Sequence, residues 1–125
     1  MQRKIAAALL AGVALAVSVA PAAQAAQSYN GVCDDHEVCN YRLANYSGGI
    51  ADFYTNIPDY DGYAWFNYGG NINDSTSSLK NNADLNILES YQHKNAGGGY
   101  FTTGTNGKRA SFTSTWDNTV SSHYF

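Results

Sequence analysis

The sequence predicts an all-β domain made of two packed antiparallel sheets, and three observations predict it. No part of the polar region places apolar residues at i, i+3, i+4 and i+7 for three turns, so no amphipathic helix is written there. Short runs rich in Tyr, Phe, Ile and Val recur instead, separated by Gly, Asn and Asp turns. One hexapeptide occurs twice, as Asn73-Asp74-Ser75-Thr76-Ser77-Ser78 and as Asp117-Asn118-Thr119-Val120-Ser121-Ser122. Both copies read [ND]-[ND]-x-x-S-S, the mark of an internal duplication.

The chain opens with a segment of a different kind. Arg3 and Lys4 give a basic start, residues 5–20 are apolar apart from Gly12 and Ser18, and Pro21 ends the run before Ala23-Gln24-Ala25. A basic start, a short apolar stretch and an A-x-A site form an export signal. The run is short and Ala-rich for a bilayer anchor, which needs about 20 apolar residues. Residues 1–25 are therefore expected to be a signal peptide. Residues 26–125 are expected to be one secreted, extracellular domain, near the common domain size of about 100–150 residues.

Cys33 and Cys39 come next. An exported chain meets oxidising surroundings, so they are expected to form a disulfide, worth ~2 kcal/mol for so short a loop. The competing metal site, with His36 between the thiols, packs three ligands into seven residues and makes a poor tetrahedron. Strands are predicted at 38–41, 50–54, 63–68, 85–88, 100–103 and 110–113. Ile50 or Phe53, Trp65 or Phe66, Leu79, Ile87, Phe112 and Trp116 are expected to be largely buried. Ahead of the first hexapeptide stands Tyr41-x4-Tyr46-x-Gly48, and a degenerate version surrounds Leu88, Tyr91 and Gly97.

These residues resemble the βγ-crystallin superfamily, whose unit is a four-stranded Greek key. There, Y-x4-[YF]-x-G lies in the first hairpin and [ND]-[ND]-x-x-[ST]-S lies between the third and fourth strands. The resemblance implies a βγ-crystallin-like double Greek-key sandwich. The chain is more closely similar to the secreted bacterial branch known as peptidase inhibitor family I36. Cys33-x5-Cys39-Asn40-Tyr41 and Asn45-Tyr46-Ser47-Gly48-Gly49 resemble that family's opening, residues 73–82 its middle, and Ser121-Ser122-His123 its closing segment. The likeness covers nearly all of residues 31–125. It implies a non-enzymatic inhibitor of an extracellular protease, with metalloproteases the class behind the family name. No inhibitory loop can be matched residue by residue; the turn at 57–62, stiffened by Pro58, is the first expectation.

The hexapeptides suggest a second role. Calcium takes six to eight oxygen ligands, and Asx, hydroxyl and backbone carbonyl oxygens supply them. In the superfamily the second position gives a side-chain oxygen and the fifth a hydroxyl. That nominates Asp74 with Ser77, and Asn118 with Ser121, as ligands. Asn73 and Asp117, at the first position, are expected to shape the turn, with Asp117 adding charge. Ser78 and Ser122 are expected to hold backbone. With so few anionic ligands, binding would be weak, on the order of 10⁻⁵–10⁻³ M. The bland alternative is that the same residues only form Asx turns.

Other functions find little support. Beyond residue 25, five Lys and Arg face ten Asp and Glu, and a nucleic-acid binder needs clustered basic residues. His36, His93 and His123 have no metal-ligand spacing, and no nucleophile elbow, zincin motif or phosphate loop occurs. Asp59, Asp61 and Asp84 sit in turn-like contexts rather than as a glycosidase pair. Tyr60, Tyr63, Trp65, Phe66 and Tyr68 suit a half-buried strand better than a sugar-binding face. A secreted toxin or wall-binding protein on the same fold completes the alternatives.

Overall fold

The computed structural model describes residues 28–125; the export segment, with Ala23-Gln24-Ala25, lies outside them. Seven strands follow in order: β1 (Val38–Leu43), β2 (Ser47–Phe53), β3 (Ser78–Asn81), β4 (Leu88–His93), β5 (Gly97–Thr103), β6 (Lys108–Arg109) and β7 (Ser122–Tyr124). One sheet has the order β2-β1-β3-β6 and the other β5-β4-β7. The described residues contain no helix.

Two Greek keys interlock across these sheets. β1 and β2 form a hairpin, and β3 returns antiparallel to the other side of β1. β4, β5 and β7 repeat that arrangement. The third segment of each unit leaves its own sheet for the other. β6 pairs with β3, Leu79 opposite Arg109. In the first unit Ile57 pairs with His123 of β7.

The core lies between the sheets. Val38, Ala51, Phe53, Ile57, Tyr60, Trp65, Ile72, Leu79, Leu88 and Val120 are buried together. β1 and β2 do not alternate: Val38 to Tyr41 and Ala51 to Phe53 are buried in succession, with Val38, Ala51 and Phe53 in the core between the sheets. The segment before β1 is tied down by polar contacts. The buried Asp52 carboxylate accepts from the Asn30 and Gly31 amides at 2.9 and 2.7 Å. Tyr29 stacks on Phe53, centroids 5.6 Å apart. Cys33 and Cys39 are disulfide-bonded, with Cα atoms 5.7 Å apart, and the metal alternative with His36 falls away.

Several expected elements differ. Residues 63–68 are not a strand: Asn67 and Gly69 take left-handed backbone, and the chain doubles back through the Trp65 amide bonded to the Gly70 carbonyl. Only single bridges, Ile50 to Phe66 and Ala64 to Asn71, remain there. Trp65 and Phe53 are nonetheless buried, as is Leu79. The 85–88 strand begins only at Leu88, because residues 84–87 stand out as an exposed loop beyond the buried Ala83, and Ile87 is exposed rather than core. The 110–113 run is displaced to Lys108–Arg109, since Thr113 already opens a turn that bonds Trp116 and Asp117. Phe112 and Trp116 are half-buried, packed on Phe101 at 5.2 and 5.1 Å, and Phe101 and Phe112 lie against the margin of the core.

Two buried ionisable groups oppose one another in pH response. His123 donates from Nε2 to the Thr55 carbonyl at 2.9 Å and accepts at Nδ1 from the Tyr60 hydroxyl at 2.8 Å, which in turn accepts from the Asn40 amide at 3.2 Å. Burial holds this imidazole down to about 4 from 6.5, against the pull of the Thr55 carbonyl. Its contribution to stability is complete above pH 6.5 and is lost as pH falls towards 4. Burial pushes the Glu37 carboxyl up to about 7 from 4.5, against the hydrogen bond from the Asp34 amide and with help from the Asp52 charge. Its contribution is complete below pH 4.5 and is lost as pH rises through 7. Between 4.5 and 6.5 the two slopes oppose. Glu37→Gln should therefore leave a protein whose stability climbs more steeply with pH across that window than the wild type's. Urea denaturation at a series of pH values measures it, and parallel profiles would contradict the assignment.

Candidate functional site

The duplication is visible atom by atom. In the first hairpin, the Ser78 hydroxyl donates to the Leu43 carbonyl at 2.7 Å and accepts from the Tyr46 amide at 3.0 Å. In the second, the Ser122 hydroxyl donates to the His93 carbonyl at 2.7 Å and accepts from the Ala96 amide at 3.3 Å. Asn45, Tyr46 and Gly48 have positive φ, and so have Asn95, Ala96 and Gly98. A Cβ on Gly48 would meet Leu43 Cγ at 2.5 Å, and one on Gly98 would meet His93 Cδ2 at 2.6 Å. The second signature is thus Tyr91-x4-Ala96-x-Gly98, one residue beyond the Gly97 expected. Alanine at its second aromatic position hid it. In the first hairpin Tyr46 lies 5.7 Å from Tyr41, and Lys80 Nζ sits 4.6 Å over its ring. Ser78 and Ser122 do hold backbone.

The hexapeptide loops meet each other. The Asp74 amide bonds the Val120 carbonyl at 3.0 Å, and the Asn118 amide bonds the Thr76 carbonyl at 3.1 Å. Asp74 and Asn118 both have positive φ. Side chains cross in the same way: the Ser121 hydroxyl donates to Asp74 Oδ1 at 2.6 Å, and Ser77 Oγ lies 3.5 Å from Asn118 Oδ1. The pairs the fold brings together are Asp74 with Ser121 and Asn118 with Ser77, not the within-loop pairs expected. The oxygens Asn73 Oδ1 and Asp117 Oδ1 are buried without a hydrogen-bond partner.

The two crossings differ electrostatically. Asp74, Asn73 and Ser121 line an open cleft of ≈ 380 Å³ together with Asp59, Asp61, His93 and Lys94. At the other crossing the Arg42 guanidinium lies 3.3 Å from Asn118 Oδ1 and 3.4 Å from the Ser75 carbonyl. Among the described residues no three His, Cys, Asp or Glu side chains converge as a metal-binding group. Any cation at these loops would rest on Asx, hydroxyl and carbonyl oxygens.

The turn at 57–62 is not a free loop. Ile57 is bridged to His123, Tyr60 is wholly buried, and its amide bonds the Ser121 carbonyl at 2.9 Å. It is the crossing third segment of the first unit, and replacing it would remove core. A different loop meets the requirements, and sequence reasoning passed over it as strand. Residues 84–87 are exposed between β3 and β4, and Leu85 at 91% is the most exposed large apolar side chain among those described. Its base is rigid. The buried Asn81 amide donates to the Asn86, Thr103 and Gly104 carbonyls at 3.0, 3.2 and 3.1 Å, while its oxygen accepts from the Ala83 amide at 3.1 Å. The Asn82 amide side chain reaches Cys33 Sγ and the Asp34 carbonyl, each at 3.2 Å, so the disulfide hairpin braces the other side.

Comparisons with known proteins agree with this architecture. The model of peptidase inhibitor family I36 matches residues 25–103. A βγ-crystallin from an archaeon is 27% identical, with TM-score 0.55, covering 73% of this chain and 98% of its own. A structure described under the evolution of the eye lens βγ-crystallin domain fold is 20% identical, with TM-score 0.59, over 75% of this chain and 91% of its own. A βγ-crystallin from Ciona intestinalis is 17% identical, with TM-score 0.54, over 70% and 96%. No curated protein matches the chain significantly by sequence. The double Greek-key expectation is met.

Ser78→Ala and Ser122→Ala should each be costly, because each hydroxyl satisfies two backbone groups away from water. The loss should be about 2 kcal/mol apiece. Ser47→Ala, whose hydroxyl donates to the Ala44 carbonyl at an exposed turn, should cost much less. Urea midpoints of the three variants make the comparison.

Proposed function

The chain belongs to peptidase inhibitor family I36, and from that premise we propose that it is a secreted inhibitor of an extracellular peptidase, with residues 84–87 as its contact loop. The observation that carries this reading is the braced apolar loop. A peptidase binds extended chain, and an inhibitor gains affinity when that chain is already ordered before binding. Asp84, Leu85, Asn86 and Ile87 project from a base fixed by Asn81, Asn82 and the Cys33–Cys39 hairpin. The apolar side chains of Leu85 and Ile87 face solvent, where they serve no core. The exposed His36–Asp84 pair at 3.8 Å adds little. The disulfide and the family together support an extracellular setting.

A panel of secreted metallo-, serine and cysteine peptidases tests the reading. The protein should inhibit at least one. Leu85→Asp should raise that inhibition constant by roughly 30-fold or more, the size of an interface hot spot. Its melting temperature should stay near the wild-type value, because the side chain is almost wholly exposed. No inhibition across the panel would remove the reading. Inhibition unchanged by Leu85→Asp would move the contact to another surface.

The Asp74 cleft favours a second reading, calcium binding. It offers a carboxylate, the Ser121 hydroxyl and the unpartnered buried Asn73 Oδ1, with Asp59 and Asp61 in the same cleft. These are hard oxygen donors of the kind calcium takes. Such an ion would join the two loops and stabilise the fold by mass action, by about 2.7 kcal/mol at 100 times Kd. Millimolar calcium should raise the melting temperature of the wild type, and Asp74→Ala should abolish that rise. Identical wild-type melts in chelator and in calcium would end this reading.

A further inference from the structure

We propose that Arg42 is the resident cation of the second loop crossing, so that the chain takes one calcium ion where its internal symmetry offers two places. The proposal rests on the calcium reading of the Asp74 cleft for its first ion, and on independent geometry for Arg42.

The duplication sets up the comparison. Tyr41 and Tyr91 occupy equivalent places, since their carbonyls accept from the Ser77 and Ser121 amides, each at 2.9 Å. The next residue in each strand is Arg42 in β1 and Gln92 in β4. Arg42 Nη1 reaches Asn118 Oδ1 at 3.3 Å and the Ser75 carbonyl at 3.4 Å, and its Cζ lies 5.9 Å over the Tyr68 ring. Gln92 instead turns away, accepting from the Gly99 amide at 3.1 Å. The half-buried guanidinium therefore faces a side-chain oxygen and a main-chain oxygen of the two loops, the donors a hard cation would use.

At the second position the crossing that holds Arg42 has an amide, Asn118, and the other a carboxylate, Asp74; at the first position the order reverses, Asp117 against Asn73, so each hexapeptide carries one carboxylate and Arg42 is the charge by which the two crossings differ. Asp117 Oδ2 accepts from Asn118 Nδ2 at 3.4 Å, which leaves Asn118 Oδ1 to Arg42 and Ser77. Lys94 and His93 line the Asp74 cleft, yet among the described residues the ion pair within 4.0 Å is His36–Asp84 and none reaches Asp74. A guanidinium already beside Asn118 repels a divalent ion, and a tethered cation has no association entropy to lose.

Calcium counting by equilibrium dialysis, with thermal melts of the same samples, tests the proposal on residues 26–125. The wild type should bind one ion, Asp74→Ala none, Arg42→Gln two and the double variant one. In chelator Arg42→Gln should melt below the wild type, and calcium should narrow the gap. Asn118→Asp, which leaves Arg42 in place and gives it a charged partner, should raise the chelator melt without adding an ion. Two ions on the wild type would overturn the proposal and leave the calcium reading intact. No ion on the wild type with one on Arg42→Gln would overturn the Asp74 reading and support Arg42. Equal counts for wild type and Arg42→Gln, with no rise in the chelator melt of Asn118→Asp, would overturn the proposal.

Discussion

The exchange of backbone hydrogen bonds between the two hexapeptide loops is the constraint on which the rest depends. Asp74 N–H to Val120 and Asn118 N–H to Thr76 fix the loops against each other. Each loop leads straight into the fourth strand of its own unit, β3 or β7. Those strands receive the crossing segment of the other unit, Arg109 beside Leu79 and Ile57 beside His123. Neither unit can complete its edge alone. A chain of this size has a marginal core, and reciprocal completion lets two small units share one. The left-handed backbone at Asp74 and Asn118 follows from the same demand, since Asn and Asp tolerate that region better than other side-chain-bearing residues.

Buried polar groups are the other half of the stability argument. Asn40, Asp52, Tyr60, Asn81 and His123 all lie inside, where an unpaired polar group is costly. Asp52 is satisfied by two backbone amides, and Asn81 joins four backbone groups of two segments. Such groups specify register in a way apolar contacts cannot: a slip of one residue would leave them unpaired. Asn81 matters most for the proposed contact loop, because it ties that loop to the end of β3.

The sequence carried the architecture mainly through its duplication. Two hexapeptides, Tyr41-x4-Tyr46-x-Gly48 and the cysteine pair were enough for the double Greek key, and they placed Asp74, Asn118, Ser77 and Ser121 in one region. The cross-pairing was not legible, because periodicity within a loop says nothing about which other loop it meets. β3 and β7 were missed since Ser78-Leu79-Lys80-Asn81 and Ser122-His123-Tyr124 bury polar residues, against the usual strand pattern. The 85–88 run failed for the opposite reason. Leu85 and Ile87 look like core residues by composition, and only the Asn81 bonds that hold the loop outward reveal them as surface. Exposed apolar side chains read as strand are a standing ambiguity of sequence, and here the residues affected are those proposed to act.

The two proposed tasks fall on different parts of the duplicated frame. The braced loop of residues 84–87 grows from the junction between the units, where only one copy can exist, so no symmetry constrains its length or side chains. The loop crossings are bound by symmetry in their backbone, and they differ only in side chains that the backbone exchange does not use. Asp74 against Asn118, and Arg42 against Gln92, are such positions. Asp74 against Asn118 is offset by Asn73 against Asp117, which moves the carboxylate by one position, so Arg42 against Gln92 changes the local charge by one unit without moving a strand. Duplication supplies two equivalent frames, and the inward hydroxyls of Ser78 and Ser122 keep both hairpins folded whichever charges line the clefts. Divergence of the two crossings is therefore tolerated by the fold, and on the proposed reading the charge at each decides whether it draws a cation from solution or is neutralised by the chain itself.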